Sequence, residues 1–266
     1  MPEGHTIHRL ATDLTRDLRG TAVHAWSPQG RFAASAARID GTSLLRAEAY
    51  GKHLFLDWSH GEVLSVHLGL IGKFRRHPVT TRPSPQTRLR LMAVDTTHAW
   101  DLTGPMVCEL VDHGGRARVA AGIGPDPLRR DGSVDAFVQR CRTRRAPIGA
   151  VLLDQNVIAG IGNVYRAEVC FLCGIDPRRT TAALDAHELR GLWREAAFQL
   201  RNGVRLNRIV TRQPAEMGRT VLARVPPGER LYVYKRGGEP CLRCDTTIGS
   251  VELGGRSSWF CERCQS

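Results

Sequence analysis

Four cysteines near the C-terminal end restrict the fold more than any other feature of this chain. They read Cys241-Leu-Arg-Cys244 and, after sixteen intervening residues, Cys261-Glu-Arg-Cys264. Thiolates at this spacing project from two tight knuckles and close a tetrahedron around Zn²⁺. All coordination positions are then filled, so the metal is structural: it folds a β-hairpin too short to be stable alone. Between the knuckles, Gly254-Gly255-Arg256-Ser257-Ser258-Trp259 makes the hairpin turn. Arg256 there is either an ordinary exposed arginine or, on a short glycine-freed tip, a bidentate phosphate contact. Cys170-Phe-Leu-Cys173 is a further CxxC, but it lies in an apolar helical stretch where i and i+3 share a face. These two and the isolated Cys108 and Cys141 are expected in the core.

Upstream, the hydrophobic period changes twice. His5 to Leu18 carries Ile7, Leu10, Leu14 and Leu18 on a helical stripe, with Gly20 as a stop. From about 21 to 120 the runs shorten to strands: Thr21–Trp26, Ser43–Tyr50, Leu54–Trp58, Val63–Leu68, Thr87–Val94 and Met106–Val111, with a hairpin turn at His60-Gly61. Residues 121–133, rich in Gly, Pro and charge, read as a linker. Beyond it helices are expected at Val134–Thr143, Ile148–Leu153, Asn163–Cys173 and Leu184–Asn202, then a long irregular loop over Arg208–Arg230. The expected class is multidomain α+β: a β-sandwich with an N-terminal helix (1–120), a linker (121–133), a helical domain (134–228) and a zinc hairpin (229–266).

The charge points to a partner. A net +12 and a pI near 10.0 favour a polyanion, nucleic acid first. Residues 1–20 lack the apolar core of a signal peptide, and no run reaches the ~18 apolar residues of a membrane span. A cytoplasmic, nucleoid-associated protein is expected, and in that reducing setting paired cysteines favour metal over disulfide. Only Lys52, Lys73 and Lys235 among the 38 basic residues are lysines. Lys, unlike Arg, can be tuned to give and take a proton.

Three stretches invite chemistry, each with a plain alternative. Removal of Met1 would leave Pro2 with a free secondary amine, a nucleophile able to hold a sugar carbon as an iminium, and Glu3 beside it could carry protons. A proline at position 2 is also simply common. In Tyr50-Gly51-Lys52-His53 the lysine sits at a strand–turn–strand junction, either solvated or positioned. Gly160-Ile161-Gly162-Asn163 opens a helix with backbone N–H groups able to grip a phosphate, or is a plain helix–helix turn. In His67-Leu68-Gly69-Leu70-Ile71-Gly72-Lys73-Phe74, Leu70 is either a wedge between bases or the end of a core strand.

Together these pieces resemble the formamidopyrimidine-DNA glycosylase/endonuclease VIII family, in its bacterial endonuclease VIII-like branch. The resemblance runs from Met1 to Gln265 in five ordered motifs: MPEG, YGKHL, HLGLIGKF, LLDQNVIAGIGNVYRAE, and VYKRGGEPCLRC with GGRSSWFCERCQ. It implies a bifunctional glycosylase/AP lyase acting, as a monomer, on double-stranded DNA with damaged bases or abasic sites. By carry-over, Pro2 is the nucleophile on C1′, Glu3 its acid/base partner, and Lys52 a proton donor and phosphate contact. Arg256 holds phosphates at the lesion and gives the proton in δ-elimination. Asn163 and the Gly162 turn contact the DNA backbone, with His67 and Leu70 also at the DNA, and Cys241, Cys244, Cys261 and Cys264 hold structural Zn²⁺. The damaged nucleotide is extruded into a pocket.

The chain departs from the family at Gly4-His5, at Gly69 (a glutamine in the endonuclease VIII type), and at Asp101–Met106, which lacks the Arg-x-Phe pair of the formamidopyrimidine type. The 208–230 loop lacks an 8-oxoguanine-capping signature, which favours oxidised pyrimidines. Two alternatives stand beside this reading: a non-catalytic zinc-finger protein binding bent or damaged DNA, and a family member retargeted to bulky or crosslinked lesions.

Overall fold

Helix α1 (Gly4–Leu18) buries Ile7, Leu10, Ala11, Leu14 and Leu18 along one face, as its stripe requires. The computed structural model describes residues 2–94, 96–218 and 221–266. Met1 and the Arg219-Thr220 part of the long loop lie outside them. Contacts divide the chain into two units, meeting at Gly122/Ile123. None of the described helices is long and apolar enough to cross a membrane.

The first unit is an antiparallel sheet of eight strands: β1 (Ala22–Trp26), β2 (Thr42–Tyr50), β3 (His53–Trp58), β4 (Val63–His67), β5 (Lys73–Pro78), β6 (Thr87–Ala93), β7 (His98–Thr103) and β8 (Val107–Val111). Their order is β5-β7-β6-β1-β2-β3-β4-β8. The halves meet through a short β1–β2 ladder, Ala22↔Ser43 and Val23↔Thr42. Both feed one core, with Leu54, Leu56, Leu64 and Val66 from one half and Leu89, Leu91, Trp100 and Leu102 from the other, around the apolar face of α1. Gly61, at φ 90, makes the expected turn between β3 and β4.

Four elements of this unit escaped the sequence reading. β5 is an edge strand whose outward residues are cations, so only Phe74 signals burial. β7 carries a buried Asp101, 3.6 Å from the buried Arg90, which breaks its apolar alternation. α2 (Ala33–Ile39) is a short alanine-rich helix. α3 (His113–Ala121) contains two glycines and little stripe; tertiary bonds hold it instead. Asp112 caps it by accepting from the Gly115 N–H at 2.6 Å, and Arg116 donates to Asp57 at 2.7 and 2.8 Å and to Glu48.

The second unit contains α4 (Val134–Arg142), the single-turn α5 (Ile148–Val151), α6 (Asn163–Leu172), α7 (Ala186–Leu206) and the hairpin β9 (Gly249–Leu253) and β10 (Arg256–Phe260). Phe137, Ile148, Ile161, Tyr165, Leu192 and Leu200 are among its buried core. α7 starts later than expected, because Asp185 and Glu188 form a capping box there. Within residues 121–133, Ile123 is already buried and the Gly124 N–H donates to the Gln155 carbonyl at 2.8 Å. The 208–230 stretch holds short 3₁₀ turns at Pro214–Met217, Leu222–Arg224 and Pro227–Glu229. Cys141 and Cys170 are fully buried, Cys108 and Cys173 half-buried. Burial pushes Cys108, Cys141 and Cys173 up to about 12, the behaviour of core thiols.

Candidate functional site

In the first unit the N-terminal segment opens onto a cleft of about 480 Å³ lined by Pro2, Thr6, Leu70, Ile71, Gly72 and Lys73. Glu3 follows Pro2 in extended conformation and is fully buried, its carbonyl accepting from the Thr6 N–H at 2.9 Å to start α1. A carboxylate is favoured at a helix N-terminus by the dipole. His5 is buried as well, and burial, first of its causes, holds the imidazole down to about 4. At neutral pH it therefore adds no charge beside the Pro2 nitrogen.

Lys52 lies outside this lining, at the tip of the β2–β3 hairpin. Gly51 precedes it at φ 57, in the left-handed region that a tight two-residue turn needs. Tyr50 pairs with His53, and His53 with His67 across β3 and β4, with ring centroids 4.8 Å apart. Burial, and after it His67, holds His53 down to about 4. For His67 burial also leads, and the charge of Lys52 adds to it, so lysine and histidine sit within electrostatic reach. The Gly69 N–H donates to His67 Nδ1 at 3.1 Å, which fixes the neutral ring with its proton on Nε2.

The β4–β5 turn projects Leu70 and Ile71, 61% and 78% exposed, and Met106 from the β7–β8 turn joins them at 67%. Three bare apolar side chains on adjoining loops are unusual for a surface and mark an interaction site. Gly72 is required here, since a Cβ would stand 2.2 Å from the Leu68 carbonyl oxygen. Gly69 explains the missing glutamine. Its φ is +66, and a Cβ would meet the Met106 Cβ at 3.0 Å, so Met106 takes the space of a side chain at 69. Ile71 and Lys73 flank Leu70 in its motif and were within reach of the sequence; Met106 carries no local signal.

In the second unit Asn163 opens α6 behind Gly162 and is buried. Its Nδ2 donates to the Ser257 carbonyl at 3.1 Å and its Oδ1 accepts from Arg166. The amide thus holds the zinc hairpin as well as standing at the turn. Arg166, which the sequence reading passed over, is the hub: fully buried, it donates to the carbonyls of Leu253 (2.8 Å), Ser257 (2.8 Å), Gly149 (3.2 Å) and Arg256 (3.3 Å). A guanidinium with five N–H donors suits such a cluster. An arginine in a helix otherwise rich in apolar residues was the available clue. Arg256 begins β10 at the exposed tip, after Gly254 and Gly255 at φ 61 and 69.

A second buried charge anchors the segment entering the finger. The Glu168 carboxylate accepts from the backbone N–H groups of Tyr232 (2.8 Å), Val233 (2.9 Å) and Tyr234 (2.9 Å), and from the Thr211 hydroxyl. Beyond it, the Sγ atoms of Cys241, Cys244, Cys261 and Cys264 all lie within 4.8 Å of one another. Cys244 stands 3.4 Å from Cys261 and from Cys264, and Cys241 is 3.9 Å from Cys264. A tetrahedral zinc with Zn–S of ~2.3 Å asks for sulfurs about 3.8 Å apart, so the four thiols fit that ion.

Residues 1–103 match the formamidopyrimidine-DNA glycosylase N-terminal domain, 123–214 the formamidopyrimidine-DNA glycosylase H2TH domain, and 238–266 the zinc finger found in FPG and IleRS. The chain is 42% identical over 269 residues to endonuclease 8 1 of Mycobacterium tuberculosis, covering 100% of both. It is 30% identical to the formamidopyrimidine-DNA glycosylase of Corynebacterium jeikeium, covering 99% of this chain and 95% of the other. Among solved structures, Lactococcus lactis Fpg in complex with DNA containing an oxidised pyrimidine gives a TM-score of 0.80 at 21% identity, over 100% of each chain. The same protein bound non-covalently to abasic-site DNA gives 0.78 at 22%, over 99% of each.

Proposed function

Since the chain belongs to the formamidopyrimidine-DNA glycosylase/endonuclease VIII family, we propose that it removes oxidised bases, pyrimidines foremost, from duplex DNA and nicks the abasic strand by β,δ-elimination. The observation that carries this reading is Pro2 in a cleft, with a buried carboxylate, Glu3, next to it. A protein that only binds DNA has no use for that pairing. The greater likeness to a mycobacterial endonuclease 8 supports the pyrimidine preference.

In this reaction the Pro2 nitrogen attacks C1′ of the extruded nucleotide and the glycosidic bond breaks, its electron pair leaving with the base. Glu3 moves the protons that the attack and the opening of the sugar require. The nitrogen sheds its proton and becomes an iminium, already cationic, which acidifies the C2′ proton. Loss of that proton expels the 3′ phosphate; loss of a second, from C4′, expels the 5′ phosphate. Lys52 and Arg256 hold the phosphates and protonate what leaves, with His67, Asn163 and the Gly162 turn on the backbone. Leu70, with Ile71 and Met106, fills the space the nucleotide vacates. Zinc, bound by the four cysteines, supplies no chemistry to the reaction; it folds the hairpin that carries Arg256.

Borohydride trapping on a duplex with one abasic site tests this directly. Wild type should form a covalent adduct, and a chain extended before Pro2, whose nitrogen is then an amide, should form none. An undiminished adduct from the extended chain, or none from wild type, overturns the mechanism.

A further inference from the structure

The cleft at Pro2 continues onto an edge strand that the reaction above leaves unused. β5 ends the sheet, paired only with β7, and its residues alternate between two surroundings. Phe74 and Arg76 point to one side. Phe74 packs edge-on against Trp100 at 5.8 Å, and Arg76 donates to Asp17 at 2.8 Å, an acid also held by the Trp100 indole N–H at 3.1 Å. Those two residues are structural.

Lys73 and Arg75 point to the other side, and both are exposed. Neither has an ion pair among the described residues. The acid paired across from Arg75 is Asp101, but its carboxylate is buried and faces Arg90 at 3.6 Å. Two like charges on one strand face, about 6.7 Å apart, repel each other. Their neighbour Arg76, on the other face of the strand, has Asp17 for a partner, whereas this pair keeps its charge toward solvent. Its separation is close to that of successive phosphates along one nucleic-acid strand. Lys73 also lines the cleft with Pro2, so the pair begins at the reacting sugar.

We propose that Lys73 and Arg75 form a two-phosphate track that holds the lesion strand along β5, Lys73 gripping the phosphate nearest the extruded nucleotide and Arg75 the next one. The inference rests on the reading of the cleft as the DNA-cleaving site. The track acts on the sugar–phosphate backbone and is blind to sequence.

The test is the salt dependence of binding to a duplex bearing a stable abasic-site analogue. Each neutralised phosphate contributes a slope of about 0.9 in log K against log salt. Lys73→Gln and Arg75→Gln should each lower the slope by roughly one and the double variant by roughly two, with affinity at low salt falling about 3- to 10-fold per contact. Lys73→Arg should restore the slope. Arg76→Gln, on the opposite face of the strand and paired with Asp17, should leave it unchanged. All the positions tested on the track are exposed, so the variants will fold. Unchanged slopes in Lys73→Gln and Arg75→Gln, or a wild type that does not bind the duplex, overturn the track. Unchanged slopes with a wild type that still traps on borohydride sink the track alone. A lowered slope without trapping keeps the track and sinks the catalytic reading.

Discussion

The two units build their sites in opposite ways. In the first, the groups proposed to face a substrate sit on turns and ahead of a helix: Pro2 before α1, Lys52 on a two-residue hairpin, Leu70, Ile71 and Met106 on adjoining loops, with glycines at the turns. In the second, the tip that carries Arg256 is tied down by buried charge, Arg166 at one end and Glu168 at the other, with the cysteine knuckles beyond. Reacting groups have to approach a substrate, and turns at the surface of a rigid sheet bring them out to it. A gripping element has to stay in one place, and buried charge-assisted bonds hold it there.

The sharpest way to break the comparison is to remove the metal. Structural zinc is worth ~10–16 kcal/mol in isolated fingers, so Cys244→Ser or chelation should unfold the hairpin and lower DNA affinity by more than about 100-fold. Hydrogen exchange should show β1–β8 still protected; loss of protection there would mean the units do not stand independently. Next in size is Glu3→Gln. General acid–base loss should cut single-turnover base release and nicking by roughly 10²–10⁴-fold with DNA affinity kept, and equal losses in affinity and rate would contradict a catalytic role. Arg166→Met should cost about 3–5 kcal/mol in denaturant unfolding of the second unit, since four carbonyls lose their donor inside the protein. If instead stability held and only DNA binding fell, the hub would be functional and not structural.

Acid gives a milder contrast. Nine of the ten histidines precede Gly122; His187 alone follows it. His5 and His53 are held down to about 4 in the folded state, so the unfolded chain binds protons first as pH falls below about 6.5. Stability of the first unit is therefore full above that pH and is lost as pH falls toward 4, on the order of 3 kcal/mol for the buried His5. Urea midpoints against pH, read by a probe in each unit, should fall earlier for the first. The smallest effect is Gly69→Ala, expected to cost about 1–2 kcal/mol from a left-handed backbone. Met106→Gly beside it should relieve the added contact, and a purely additive double variant would deny that the two loops touch.

What the sequence disclosed follows the same division. The zinc ligands, the α1 stripe, the helix junction at Gly162 and the hairpin at Gly51-Lys52 all rest on local spacing, and local spacing is what a single sequence displays. β5 and β7 were hidden because an edge strand wears its charges outward and a buried Asp101 is neutralised by a residue eleven positions away. α3 is made by an arginine reaching Asp57, and Met106 reaches its place because Gly69 leaves room for it. Arg166 and Glu168 were readable as charges in a largely apolar helix, but their backbone partners were not.

Glu168 has a consequence for how such a chain can change over generations. Its single carboxylate holds Thr211 at one end of the irregular segment and Tyr232, Val233 and Tyr234 at the other, and the Thr211 N–H adds a bond to the Arg230 carbonyl at 2.9 Å. The segment is thus closed at its neck, like a bag on a drawstring. Lengthening a loop whose ends are already pinned costs little, about 0.6 kcal/mol per doubling. The segment between Thr211 and Tyr232 can accordingly change in length at little cost while the helices and finger beneath keep their register.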